Sequence, residues 1–226
     1  MTNPAKPKTP LHEWLLMAVI SAAILAASYL EFQWWQISLT ETLGFATGGV
    51  CVWLNVRENI WNWPIGLANN VFFFVLFRDN RLYADMWLQV VYFGFGVYGW
   101  WQWLRGGANH GPLVISRTRL WEWVALGGFV VAGTFGMQKA LQYFNGAAPF
   151  WDAHCTALSL AAQYLICRKR LENWLVWIAV DLISVPLFFS RDLRLTAVLY
   201  GIFLTMCVVG LWEWWKTWRA QKEEQP

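Results

Sequence analysis

The chain has 226 residues, 58% of them apolar and only 14% charged, with a formal net charge of +3. A soluble domain carries about a quarter charged residues, so the composition excludes an ordinary soluble fold. Basic residues scattered between apolar runs also argue against a nucleic-acid-binding patch. Nineteen tryptophans fit an integral membrane protein with aromatic belts at both interfaces. Four cysteines, Cys51, Cys155, Cys167 and Cys207, stand far apart inside apolar segments with no metal-ligand spacing, and read as small buried hydrophobes.

Eight apolar stretches follow one another at 13–33, 36–56, 60–77, 83–104, 120–142, 151–168, 172–190 and 195–216. Each is close to the ~20 residues a spanning helix needs. The first follows Lys6 and Lys8 and contains "SAAILAAS", the look of a signal peptide, but the second begins almost at once and leaves little room for cleavage. It reads as an extra helix outside the core. The third holds Asn69 and Asn70 in mid-span; adjacent residues point about 100° apart, so one of them, Asn70, is taken to face the interior. In the fourth, Gln89 and Tyr92 share a face, and Gly94, Gly96 and Gly99 permit close helix approach. The sixth carries Asp152 and His154 near one end, then Thr156, Ser159 and Gln163 as a polar stripe that suits either helix packing or a pore. The seventh, "ENWLVWIAVD", places Trp174, Trp177 and Asp181 on one face. A carboxylate in hydrocarbon is costly and is kept where it faces a cavity or a partner. Pro64 and Pro186 interrupt their helices and are candidate hinges.

With eight spans both termini share a side. That side holds twelve of the Lys and Arg residues and the other holds five, which predicts cytoplasmic termini in a multi-pass plasma-membrane protein.

Two segments match each other. "FRDNRLYA" aligns with "SRDLRLTA", "VYGWWQWLR" with "VVGLWEWWK", and "RENIWNW" resembles "LENWLVW", at offsets between 111 and 114 residues. The expected organisation is an all-α membrane protein of eight helices. It has a tail and extra helix at 1–35, a three-helix bundle at 36–105, a linker with a connecting helix at 106–150, a second bundle at 151–218 and a tail at 219–226. One intervening helix gives the two bundles the same orientation, a parallel-repeat transporter architecture with its site between repeats near the midplane.

The run "LYADMWLQVVYFGFGVYGWWQW", with "NWPIGLANNVFFFVLF" before it and the Trp174, Trp177, Asp181 pattern after it, resembles the PnuC family of nicotinamide riboside transporters over about residues 36–216. The resemblance implies a 3+1+3 fold similar to that of SWEET sugar transporters but with its own helix order, a homotrimer in the bacterial inner membrane, and a cytoplasmic nucleoside kinase acting on the imported substrate. The family pattern ends in Asn or Asp, and Asp181 fits it. The implied substrate has a flat pyridinium ring, a carboxamide and a ribose. Trp174 and Trp177 can offer π-faces to the cation, unless they are belt residues beside the basic loop 168–170. Asp181 can bond ribose hydroxyls or balance the ring charge, unless it bonds a neighbouring helix. Asn70, Gln89, Tyr92, Ser159 and Gln163 complete the candidate substrate-binding set.

No P-loop and no nucleophile–base or metal constellation is present, so no catalytic residue, cofactor or metal is expected. No proton relay or ion cage can be assembled around Asp181. The expectation is a facilitator that works by alternating access and supplies NAD synthesis. The rivals are a thiamine or riboflavin transporter, an ion-coupled symporter, and a membrane receptor that binds without moving its ligand.

Overall fold

The computed structural model describes residues 39–79, 83–143, 149–191 and 194–223. The expected first span at 13–33, the turn residues 80–82 and 192–193 of the two Arg-Asp-x-Arg segments, and the last three residues lie outside them. Among the described residues there are seven α-helices: α1 Leu39–Val56, α2 Asn62–Asp79, α3 Tyr83–Arg105, α4 Leu120–Tyr143, α5 Pro149–Cys167, α6 Asn173–Ser190 and α7 Arg194–Glu223. They follow the seven apolar stretches expected after residue 36 to within a few residues, apart from the far end of α7. At 30 residues, α7 is about 45 Å long and exceeds the ~30 Å hydrocarbon core. Three helices, α4, α6 and the stretch Thr196–Glu223 of α7, are apolar enough to cross a membrane on composition alone. The others carry more polar residues: α2 includes Asn69, Asn70, Arg78 and Asp79.

Neighbours in the chain pack as α1 on α2, α2 on α3, α5 on α6 and α6 on α7. Contacts of α3 with α5 and of α7 with α1 then close these six helices into a ring, while α4 packs against α5 from outside. Within each set of three, the helices stand in chain order around the ring.

The turns that end α1 and α5 are built alike. Glu58 and Lys169 each take a left-handed backbone, at φ 50° and 47°. Both turns make the same backbone bonds: Arg57 N–H to Trp53 and Arg168 N–H to Tyr164, Asn59 N–H to Leu54 and Arg170 N–H to Leu165. An asparagine then opens the next helix in each case, Asn62 or Asn173, followed by a tryptophan. Pro64 falls in the first turn of α2, where a missing N–H costs little, so it starts this helix; Pro186 lies inside α6.

The second turn is also tied to the α3–α4 linker. Ser116 and Arg170 form a parallel bridge. Arg170 meets Glu122 at 2.8 Å in a pair that is 8% and 0% exposed. Glu172 accepts from the Thr118 N–H and hydroxyl, both at 2.8 Å, and from Arg117. Burial pushes the Glu172 carboxyl up, but the bonds from Thr118 and Arg117 outweigh it and leave it below the ordinary carboxylate range.

Candidate functional site

Two regions inside the ring carry unusual chemistry. The first is a layer of four buried tryptophans at the end that holds the basic turns. Trp63 and Trp103 meet edge-to-face at 5.4 Å and 86°, and Trp174 and Trp214 do the same at 5.5 Å and 88°. The pairs join through Trp103 and Trp214 at 6.1 Å. Trp63 fills the space over Gly99 and Trp174 that over Gly210, where any Cβ would strike the ring. The Trp103 indole donates to the Ile166 carbonyl at 2.9 Å, and the Trp214 indole to the Asn55 carbonyl at 3.0 Å. Burial separates these four from Trp61, Trp87, Trp101, Trp121 and Trp212, each more than half exposed. The belt reading fits the exposed group; the buried group packs the helices.

The second region lies about two helical turns deeper along α6. Asp181 is buried, and among the described residues its hydrogen-bond donor is the Cys207 thiol of α7, at 3.5 Å. The Ser184 hydroxyl, three residues on from Asp181, donates to the Cys155 sulfur at 3.9 Å. Cys155 and Tyr200 both lie within electrostatic range of Asp181. The Tyr92 hydroxyl lies near Ser159, where α3 packs on α5. A buried carboxylate with one weak thiol donor is far from satisfied, and that leaves it able to take a hydroxyl or a cation.

The candidate residues fall into three groups. Asp181, Tyr92 and Ser159 belong to this inner cluster or border it. Trp177 is half-buried one turn from Asp181 and packs between the tryptophan layer and the Ala162, Leu165, Val176 group. Trp174 shares its helix face but is sealed in the layer, 1% exposed. Asn70, Gln89 and Gln163 are half-buried on α2, α3 and α5, and among the described residues no hydrogen bond joins them to the cluster. From sequence alone Cys155 and Cys207 read as packing residues, and Ser184 and Tyr200 do not stand out. Spacing marks Ser184, at i+3 from Asp181; nothing local marks Cys207, which meets Asp181 only through the packing of α7 on α6. Asp152 and His154 have structural partners: Arg191 holds Asp152 with two bonds at 3.0 and 2.9 Å, and His154 lies 3.1 Å from the Thr134 hydroxyl.

Three cavities lie elsewhere. One of about 410 Å³ is lined by Arg117, Glu172, Trp212 and Trp215 among others, one of 250 Å³ sits between α4, α5 and α6, and one of 450 Å³ between α1 and α2. None of the three is lined by Asp181.

Residues 38–216 match the profile of the nicotinamide mononucleotide transporter family. The chain is 26% identical over 206 residues to the nicotinamide riboside transporter PnuC of Escherichia coli (strain K12), covering 80% of this chain and 86% of that one. It is also 26% identical over 196 residues to the riboflavin/roseoflavin transporter RibM of Streptomyces davaonensis, covering 84% and 90%. The crystal structure of the vitamin B3 transporter PnuC has a similar fold, with a TM-score of 0.64 at 22% identity over 89% of this chain and 91% of that one.

Proposed function

The chain belongs to the nicotinamide mononucleotide transporter family, and from that premise we propose that this membrane transporter carries nicotinamide riboside inward across the bacterial inner membrane. The observation that carries the reading is Asp181: a buried, under-bonded carboxylate inside a closed ring of six helices, one turn from the half-buried face of Trp177. The cationic pyridinium stacks on Trp177. Asp181 balances its charge or takes ribose hydroxyls. Tyr92, Ser159, Gln89, Gln163 and Asn70 supply the remaining polar contacts, and Trp174 joins them when its layer opens.

The transport cycle rocks two three-helix repeats, α1–α3 and α5–α7, about a pseudo-two-fold axis along the membrane normal, with α4 as the connector and the segment 13–33 as an eighth, peripheral helix. The ring order supports this, because it maps onto itself when the two sets are exchanged. Both termini face the cytoplasm, the assembly is a homotrimer in lipid, and a cytoplasmic kinase traps the product for NAD synthesis. With no ion relay among its candidate residues, the carrier works as a facilitator.

Similarity to the riboflavin/roseoflavin transporter at equal identity favours a second reading, a carrier for another flat vitamin. Uptake of labelled nicotinamide riboside, riboflavin and thiamine into proteoliposomes, with and without ion gradients, tests both. Fastest uptake of nicotinamide riboside without a gradient is expected. Preference for riboflavin or thiamine would overturn the substrate, gradient dependence the facilitator, and binding without uptake the transporter.

A further inference from the structure

The Glu58–Lys169 contact stands at the mouth of the tryptophan layer and joins the two homologous turns. Lys169 Nζ lies 3.1 Å from Glu58 Oε2, and their side chains are 9% and 4% exposed. The two residues are 111 apart in sequence, which is also the interval between Trp63 and Trp174, and between Trp103 and Trp214. The pair is therefore formed by one position meeting its own counterpart across the repeat axis. Lys169 Nζ also sits 4.4 Å from the centre of the Trp103 ring, so the ammonium caps the layer from above.

Beneath this cap the layer leaves polar atoms unsatisfied at matched positions. The indole N–H groups of Trp63 and Trp174 and the amide oxygens of Asn62 and Asn173 are buried and have no hydrogen-bond partner among the described residues. The amide nitrogens of the same asparagines are bonded, to Asn55 and to the Arg170 carbonyl. Unpaired buried groups are costly. Their occurrence at equivalent places in both halves points to groups that are paired in another state, where water or a passing solute reaches them. A buried ion pair across the mouth behaves in a related way: the contact holds while it is shut in, and water competes for both ends once the mouth is wet.

We propose that Glu58 and Lys169 are the latch of the gate at this face, and that Trp63, Trp103, Trp174 and Trp214 are the gate it holds shut. The ion pair parts and the layer separates along the Trp103–Trp214 contact each time the interior opens to the basic face. This rests on the transporter reading, but not on the identity of the substrate.

Cys207 tests it, because it lies about two turns inside the gate on α7, against Asp181. In a full-length chain with Cys51, Cys155 and Cys167 replaced by serine, the labelling rate of Cys207 by a membrane-impermeant charged methanethiosulfonate is measured separately from each face of reconstituted vesicles. Glu58→Gln and Lys169→Met raise the rate from the basic face about tenfold or more and leave the other face unchanged. The exchange Glu58→Lys with Lys169→Glu restores slow labelling. Unchanged rates in the single variants, equal gains from both faces, or an exchanged pair as open as the singles would each overturn the latch. Labelling needs no substrate, so a failure of nicotinamide riboside uptake with these rates intact removes the substrate assignment and leaves the gate.

Discussion

The tryptophan layer and the Asp181 cluster are neighbours along α6, yet they are built in opposite ways. Everything in the layer occurs twice: two edge-to-face contacts, two glycine seats, two indole bonds to the end of the next helix in the ring. Nothing in the cluster does. The counterpart of Asp181 in the first half is Asn70, and that of Cys207 is Gly96, so the carboxylate and its thiol exist once. On the proposed function, parts that move as mates would keep matched surfaces, whereas a single asymmetric solute would need a site that differs between the halves. The layer is therefore expected to govern stability and access, and the cluster affinity.

The largest effect expected from this contrast is on stability. Trp214 is 0% exposed and touches both Trp103 and Trp174. Trp214→Ala should cost about 3–5 kcal/mol, seen as a large fall in the detergent melting temperature. A melting temperature equal to that of the parent chain would mean that the layer is not the core it is described as.

Next in size is affinity. Asp181→Ala should weaken nicotinamide riboside binding about 10- to 100-fold through the loss of a charged hydrogen-bond acceptor, and Trp177→Ala about 3- to 30-fold through the loss of a π-face. Both should leave the melting temperature near that of the parent chain. Calorimetric titration in detergent checks each; unchanged affinity in both would place the site elsewhere in the ring.

The smallest effect sharpens the contrast at the edge of the layer, where the second turn is fastened to the α3–α4 linker. The Glu172 carboxyl is held below its ordinary range in the folded chain, so the stability it contributes is complete above the unfolded carboxylate value and is lost as pH falls through the lowered folded value. Melting temperatures between pH 7 and pH 3 should fall more steeply in the parent chain than in Glu172→Gln. Equal slopes would show that the fastening is independent of this charge.

Much of this was legible before any coordinates. Apolar runs of spanning length fixed where the helices are, because helix formation in a bilayer depends on local composition. The matching Gly-x-Trp and Arg-Asp-x-Arg segments pointed to two related halves, and Asp181 stood out because a carboxylate within an apolar run has few structural excuses. The sequence could not say which of nineteen tryptophans are inside. An indole is equally suited to a belt or to a core, and what decides is whether a glycine on another helix leaves it a seat, as Gly99 and Gly210 do. In the same way Cys207 became a partner of Asp181, and Glu58 of Lys169, only when distant segments were brought together. Local chemistry determined the helices and the costly carboxylate; tertiary packing decided which groups are buried, paired and able to act together.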